Sequence, residues 1–264
     1  MGFRARRALD DALDAVDQIR GRRDPLVPPR RLRSGDYSDF ERLGREFLDL
    51  FVRLGGLRPD DRVLDIGCGP GRMAVPLTGY LSAAGGYAGF DIVRAEVGWC
   101  QAHLTPRFPN FRFELADVYN ARYNPNGTRA PDHFRFPYPD EAFDFVFATS
   151  VFTHMLGPEV EHYVEELTRV LRPGGRALLT WFLLTEESHA HLETGDGRFS
   201  FAHPIGPALV NDLASPEAAV AYPEAWVAER IAAHGLRIVS FHPGGWCGHA
   251  QPETWQDTVV VGRQ

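Results

Sequence analysis

The stretch 63-VLDIGCGPGR-72 sets an apolar run against a loop with three glycines in five residues. Val63 to Ile66, interrupted only by Asp65, reads as a strand buried on both faces. Glycines at 67, 69 and 71 let a ligand approach the backbone with no Cβ in the way. A helix predicted over 71–81 would offer its first N–H groups to an anionic part of that ligand. The dinucleotide loop G-x-G-x-x-G would need glycine where Arg72 stands, which counts against a nicotinamide cofactor. The triphosphate loop G-x-x-x-x-G-K-[ST] is absent, so nucleoside triphosphates are disfavoured.

Outward from this loop the chain alternates. Apolar runs at 62–66, 87–91, 111–115, 143–149 and 176–184 predict strands, and helical periods at 94–104 and 158–171 fall between them. Strict alternation predicts a parallel sheet covered on both faces. After residue 185 the rhythm breaks: 186–214 has no period, Ser215-Pro216-Glu217 and Tyr222-Pro223-Glu224 are helix starts, and strands follow at 236–241 and 257–262. Upstream, Leu9, Leu13, Val16 and Ile19 share one face of a helix over 6–20. A second stripe from Phe40 to Leu54 ends at Gly55-Gly56, with Ser38 or Asp36 as its cap.

Two acids stand at strand ends. Asp91 follows the second strand about twenty residues beyond the loop, where a carboxylate can accept from both ribose hydroxyls of an adenosine. Capping the next helix is the alternative for Asp91. Asp117 ends the third strand beside Val118. Such a pair can take an adenine amino group and pack on its ring, or be an ordinary loop.

As an ordered set, VLDIGCGPG, GFD, LADV, FDFVFATSVFTHM and RVLRPGGRALLT resemble the motifs of class I S-adenosylmethionine-dependent methyltransferases, over roughly residues 60–185. The resemblance implies an α/β fold: a seven-stranded, mostly parallel sheet with helices on both faces and the last strand antiparallel. It implies S-adenosylmethionine as cofactor, with Asp65, Gly67 and Gly69 at its methionine end and Cys68 and Ile92 completing the contact set. Asp91 would take the ribose, Asp117 with Val118 the adenine, and Ser150 the region near the sulfonium. Residues 1–56 are then a helical lid or arm and 57–264 the Rossmann-like domain, with acceptor-shaping insertions at 119–141 and 186–221.

His154 ends 145-FVFATSVFTHM-155, just past the central strand. A core histidine, a metal ligand and a general base all fit the position. An alcohol must lose a proton to accept a methyl group, and a positioned base is worth about 10²–10⁴-fold. A small-molecule O-methyltransferase with His154 as base is the expected function, acting on a sugar or natural-product hydroxyl. A nitrogen or carbon acceptor needing no base, or a non-catalytic scaffold, is the alternative. His189, His191, His203, His242 and His249 match no ligand spacing, so no metal is expected. Aromatic residues of the C-terminal third, with the loop 243–257, read partly as core and partly as a pocket wall. Glu159, Glu161, His162, Glu165 and Glu166 read as a solvated helix face.

Composition bounds the rest. The chain has 264 residues and a net charge of -7, against a nucleic-acid partner. All 28 basic residues are Arg, and the first 33 residues hold nine of them against five Asp. Three scattered cysteines suggest a reducing compartment. With no apolar leader and no spanning run, a cytoplasmic protein is expected, without nucleic-acid or membrane partners and with a homo-oligomer left open.

Overall fold

Val63 and Leu64 are neighbours that serve different cores. Val63 packs with Phe145, Phe147 and Leu178 on one face of a sheet, and Leu64 with Val146, Ala148 and Leu179 on the other. That alternation is the period-two geometry of a strand buried on both sides. The computed structural model describes residues 3–21, 24–33, 39–195 and 197–264.

The sheet is built from β1 (Arg62–Ile66), β2 (Gly86–Asp91), β3 (Phe111–Leu115), β4 (Phe143–Ala148), β5 (Leu171–Trp181), β10 (Leu236–His242) and β11 (Asp257–Arg263). Their order is β10-β11-β5-β4-β1-β2-β3. β1 pairs in parallel with β2 and β4, while β11 runs antiparallel to both β5 and β10. This is the expected seven-stranded, mostly parallel architecture. The strand order reverses beside β1, the place where open α/β sheets leave a crevice for ligands.

Helices cover both faces. On one lie α2 (Phe40–Arg53), α3 (Ala74–Leu77) and α4 (Arg94–His103); on the other α5 (Gly157–Val170) and α7 (Glu224–Ala233). Phe51 of α2 stacks on Phe147 with ring centroids 4.2 Å apart, so α2 packs on the sheet itself. Its N-cap is Asp39; the predicted caps Asp36 and Ser38 lie outside the described residues.

The predicted helix over 71–81 is only the four residues of α3, flanked by turns. Pro76 lacks an N–H and Gly79 favours turns, which shortens the helical run. The aperiodic segment after 185 is also more ordered than its sequence suggests. It forms α6 (Glu186–Thr194) and a second, four-stranded sheet in the order β6-β9-β8-β7, from β6 (Leu183–Leu184), β7 (His203–Ile205), β8 (Ala208–Val210) and β9 (Val220–Pro223). Ser215-Pro216-Glu217 opens a single 3-10 turn, Pro216–Ala218, rather than a longer helix.

The first helix, α1 (Phe3–Ile19), turns its apolar stripe outward: Leu9, Leu13, Val16 and Ile19 are all exposed. Its acidic residues hold Arg30 of the following segment instead. Arg30 donates its backbone N–H and Nη1 to Asp14, each at 2.9 Å, and Nη2 to Asp17 at 2.7 Å. Among the described residues no helix is long and apolar enough to cross a membrane.

Candidate active site

A cavity partly open to solvent lies at the C-terminal ends of β1, β2 and β4. Its floor is the glycine loop. Gly67, Gly69 and Gly71 have φ of +77°, +52° and +85°, which L side chains adopt only under strain. Gly67 and Cys68 both donate their N–H to the Phe90 carbonyl, at 2.9 and 3.0 Å, which hangs the loop from β2. A Cβ on Gly67 would lie 2.6 Å from Val151 Cγ2, so the backbone there sits too close to its neighbour for any side chain.

Asp91 is anchored by two amides. Gly69 donates to its Oδ2 and Val93 to its Oδ1, each at 2.8 Å. The Ile92 N–H adds to them, and a carboxylate has about four acceptor sites, so capacity for a ligand hydroxyl remains. The Val93 bond closes an Asx turn just before α4, whose N-cap is Val93 itself. Burial raises the Asp91 pKa, and the N–H bonds oppose the rise.

Asp65 is fully buried, with Tyr87 donating to its Oδ2 at 2.7 Å and its Oδ1 unpartnered. Burial pushes its pKa up to about 8, against the Tyr87 hydrogen bond. An orphaned carboxyl oxygen beside a glycine cradle is a place where a ligand's donor completes the bonding. Glu96, on α4, is a second wall carboxyl; burial, with Asp91 adding, raises its pKa to about 8. Arg72 also lines the cavity, and its charge draws the Asp65 pKa down.

Ile92, Val93 and Val118 give the cavity an apolar flank, and Phe40 of α2 reaches it from the N-terminal side. Asp117 is not part of the lining; it is exposed, and its Oδ2 accepts from Thr128 Oγ1 at 2.5 Å. So the structure brings together Asp65, Gly67, Cys68, Gly69, Asp91, Ile92, Val118, Ser150 and His154 on one cavity, and leaves Asp117 at its margin. The acid-lined cradle fits a cationic, ribose-bearing cofactor.

The far end of the cavity carries His154. It closes a 3-10 turn, Phe152–His154, and its Nδ1 lies 2.8 Å from the Glu217 carbonyl oxygen. A carbonyl only accepts, so Nδ1 bears the proton and Nε2 keeps the lone pair. Burial lowers the His154 pKa, against the Glu217 bond. Tyr123 meets the imidazole edge-on at 5.6 Å. The turn is held from both insertions, since Glu217 Oε2 also accepts the Ala121 N–H at 3.1 Å.

Other side chains here were not legible in the sequence. Glu159 lines the cavity rather than facing solvent; it accepts the Leu156 N–H at 2.8 Å, and burial raises its pKa to about 7. Its position three residues after a helix N-cap was the available signal. Glu166 is also buried, taking the Phe136 N–H and the Arg169 guanidinium. The C-terminal rings and the loop 243–257 do not line the cavity. Trp181 stacks on Phe152, and Phe182, Phe199, Phe201 and Trp246 form a separate cluster. Among the described residues no three His, Cys, Asp or Glu side chains gather as a metal would need.

Comparison with known proteins gives the same picture. Residues 64–179 match a family described as a methyltransferase domain. The chain is 29% identical over 184 residues to a 27-O-demethylrifamycin SV methyltransferase from Amycolatopsis mediterranei, spanning 67% of this chain and 58% of that one. It is 29% identical to a sterol 24-C-methyltransferase from Gibberella zeae, over 50% of this chain and 30% of the relative. The chain thus spans little more than half of the first relative and under a third of the second. A solved 1,6-didemethyltoxoflavin-N1-methyltransferase from Burkholderia thailandensis has the same fold, at TM-score 0.55, 16% identity and coverage of 86% and 80% of the two chains. Residues 64–179 thus match a methyltransferase domain, and the sheet order and glycine cradle give the chain the fold of class I S-adenosylmethionine-dependent methyltransferases.

Proposed function

We propose that the protein transfers a methyl group from S-adenosylmethionine to a hydroxyl of a small molecule, with His154 as the base. The observation that carries this reading is the His154 Nδ1 bond to Glu217 O, at 2.8 Å in the wall of the cradle's own cavity. It leaves an uncharged Nε2 free to receive a proton.

S-adenosylmethionine, when bound, supplies the methyl group on a sulfonium. The chain's part is to orient and to move one proton. Asp65 and the glycine loop would hold the methionine end, Asp91 the ribose hydroxyls, and Ile92 with Val118 the adenine faces. Asp117, with its carboxylate given to Thr128, would reach the adenine only by exchanging that partner. Ser150 would stand near the sulfonium. His154 Nε2 would take the acceptor's proton, and Nδ1, pinned to Glu217 O, would stabilise the imidazolium so formed. Holding acceptor and methyl in line supplies much of the remaining acceleration. Residues 1–56, with Phe40 at the cavity, would act as its lid.

The acceptor is proposed to be a natural-product or sugar hydroxyl, supported by the rifamycin methyltransferase among the relatives. Methyl transfer to carbon, as in the name of the sterol relative, would need no base. A panel of hydroxylated, amine and alkene acceptors with labelled S-adenosylmethionine tests the proposal. Label on an ether oxygen, lost in His154→Ala, is expected; label on carbon or nitrogen would overturn it.

A further inference from the structure

Gln256 lies 106 residues from Ser150 in the chain and is not part of the cavity wall. Its Oε1 accepts from Ser150 Oγ at 3.0 Å and from Thr180 Oγ1 at 2.6 Å. Thr180 Oγ1 in turn accepts the Ser150 N–H at 2.8 Å. Gln256 Nε2 reaches Thr153 Oγ1, next to His154, at 3.3 Å. Thr153 and Thr180 are fully buried, so water does not compete for their hydroxyls.

Ser150 itself has φ of +59°. A residue with a Cβ holds that conformation only when its surroundings impose it, and such residues cluster at functional sites. Here Thr180 fixes the backbone and Gln256 takes the hydroxyl proton. A serine hydroxyl has one proton to give. What Ser150 Oγ can turn toward the cavity is therefore its lone pairs. A lone pair attracts a cationic centre and its polarised C–H groups more than a neutral thioether.

We infer that Gln256 is a positioning residue: it fixes the Ser150 hydroxyl lone-pair-inward, so that the site prefers the sulfonium of S-adenosylmethionine to the neutral S-adenosylhomocysteine left after transfer. The inference rests on the cofactor reading above. It gives the residue that leads into β11 a part in product release, because the attraction lapses once the sulfur is neutral.

Calorimetric titration of both nucleosides into the whole chain tests it. In Gln256→Ala the preference for S-adenosylmethionine should fall roughly three- to tenfold, with S-adenosylhomocysteine affinity within about twofold of wild type. Ser150→Ala should lose the same preference, and the double variant no more, since both act through one hydroxyl. Gln256→Glu, which keeps an acceptor oxygen, should retain it. A packing role alone would weaken both nucleosides alike, and an unchanged ratio in Gln256→Ala and Ser150→Ala overturns the inference. Should Gln256→Ala fail to fold, Ser150→Ala decides by the same ratio. If wild type binds neither nucleoside, the cofactor reading falls with it; if both bind at an unaltered ratio, only the role of Gln256 falls.

Discussion

The bond from His154 Nδ1 to Glu217 O fixes both the tautomer and the pH behaviour expected of the site. His154→Ala should lower turnover by about 10²–10⁴-fold while cofactor affinity by calorimetry stays near wild type. Near-normal turnover would remove the base. Burial lowers the His154 pKa, so the active neutral form persists to lower pH than for a free imidazole. The acid limb of kcat/KM should accordingly fall below about pH 6.5. Glu159 is the other candidate for such a limb, so Glu159→Gln should leave it in place; a limb abolished in that variant would reassign the base. Asp91→Ala should have the opposite signature to His154→Ala. It loses the acceptor of two loop amides as well as of the ligand, so cofactor affinity should drop by roughly ten- to a hundredfold. Unchanged affinity would undo the ribose assignment.

Between elements, the two insertions meet at Glu217, whose side chain takes the Ala121 N–H and whose carbonyl takes His154. Removing the side chain keeps the carbonyl, so Glu217→Ala should free the 119–124 segment without altering the histidine's tautomer. The acceptor KM should rise by about two- to tenfold, the worth of one exposed hydrogen bond, while cofactor affinity holds. A matched loss in both affinities would mean that the segment serves the whole fold instead. How much of this the sequence showed differs by element. The five parallel strands were legible because strands buried on both faces are continuous apolar runs, and Asp65, Asp91 and the glycines follow from them. The 186–221 insertion was not, because strands of two to four residues are too short to show a period. Glu159 was misplaced for another reason: helical spacing says which residues share a face, not what covers it. Gln256 and Glu217 act through contacts 63 to 106 residues away, which no local pattern records.

For the molecule as a whole, the unusual burden is four raised carboxyls around one cavity: Asp65 and Glu96 at about 8, Glu159 at about 7, and Asp91, which burial also raises. Their ordinary values are 3.8 for Asp and 4.5 for Glu. Between those values and pH 8 the folded chain holds protons that the unfolded chain has released. Stability contributed by these groups is therefore fully present below the ordinary values and is lost as pH rises through the raised ones. His154 works in the other direction, but only below its ordinary value of 6.5. The ligand-free protein should melt at lower temperature as pH goes from about 6.5 to 8.5, and Asp65→Asn should flatten the slope, at most about 1.4 kcal/mol per pH unit for that group. A flat wild-type profile in differential scanning calorimetry would mean that these carboxyls are already ionised. The reversed direction of β11 has a practical outcome of another kind. Asp257, at its start, pairs with Trp181 at the cavity edge of the sheet, while Gly262, near its end, pairs with Arg176 at the opposite edge. A tag or surface linker attached after Gln264 would leave from the side away from the cavity, so the protein can be immobilised there with its mouth facing solution.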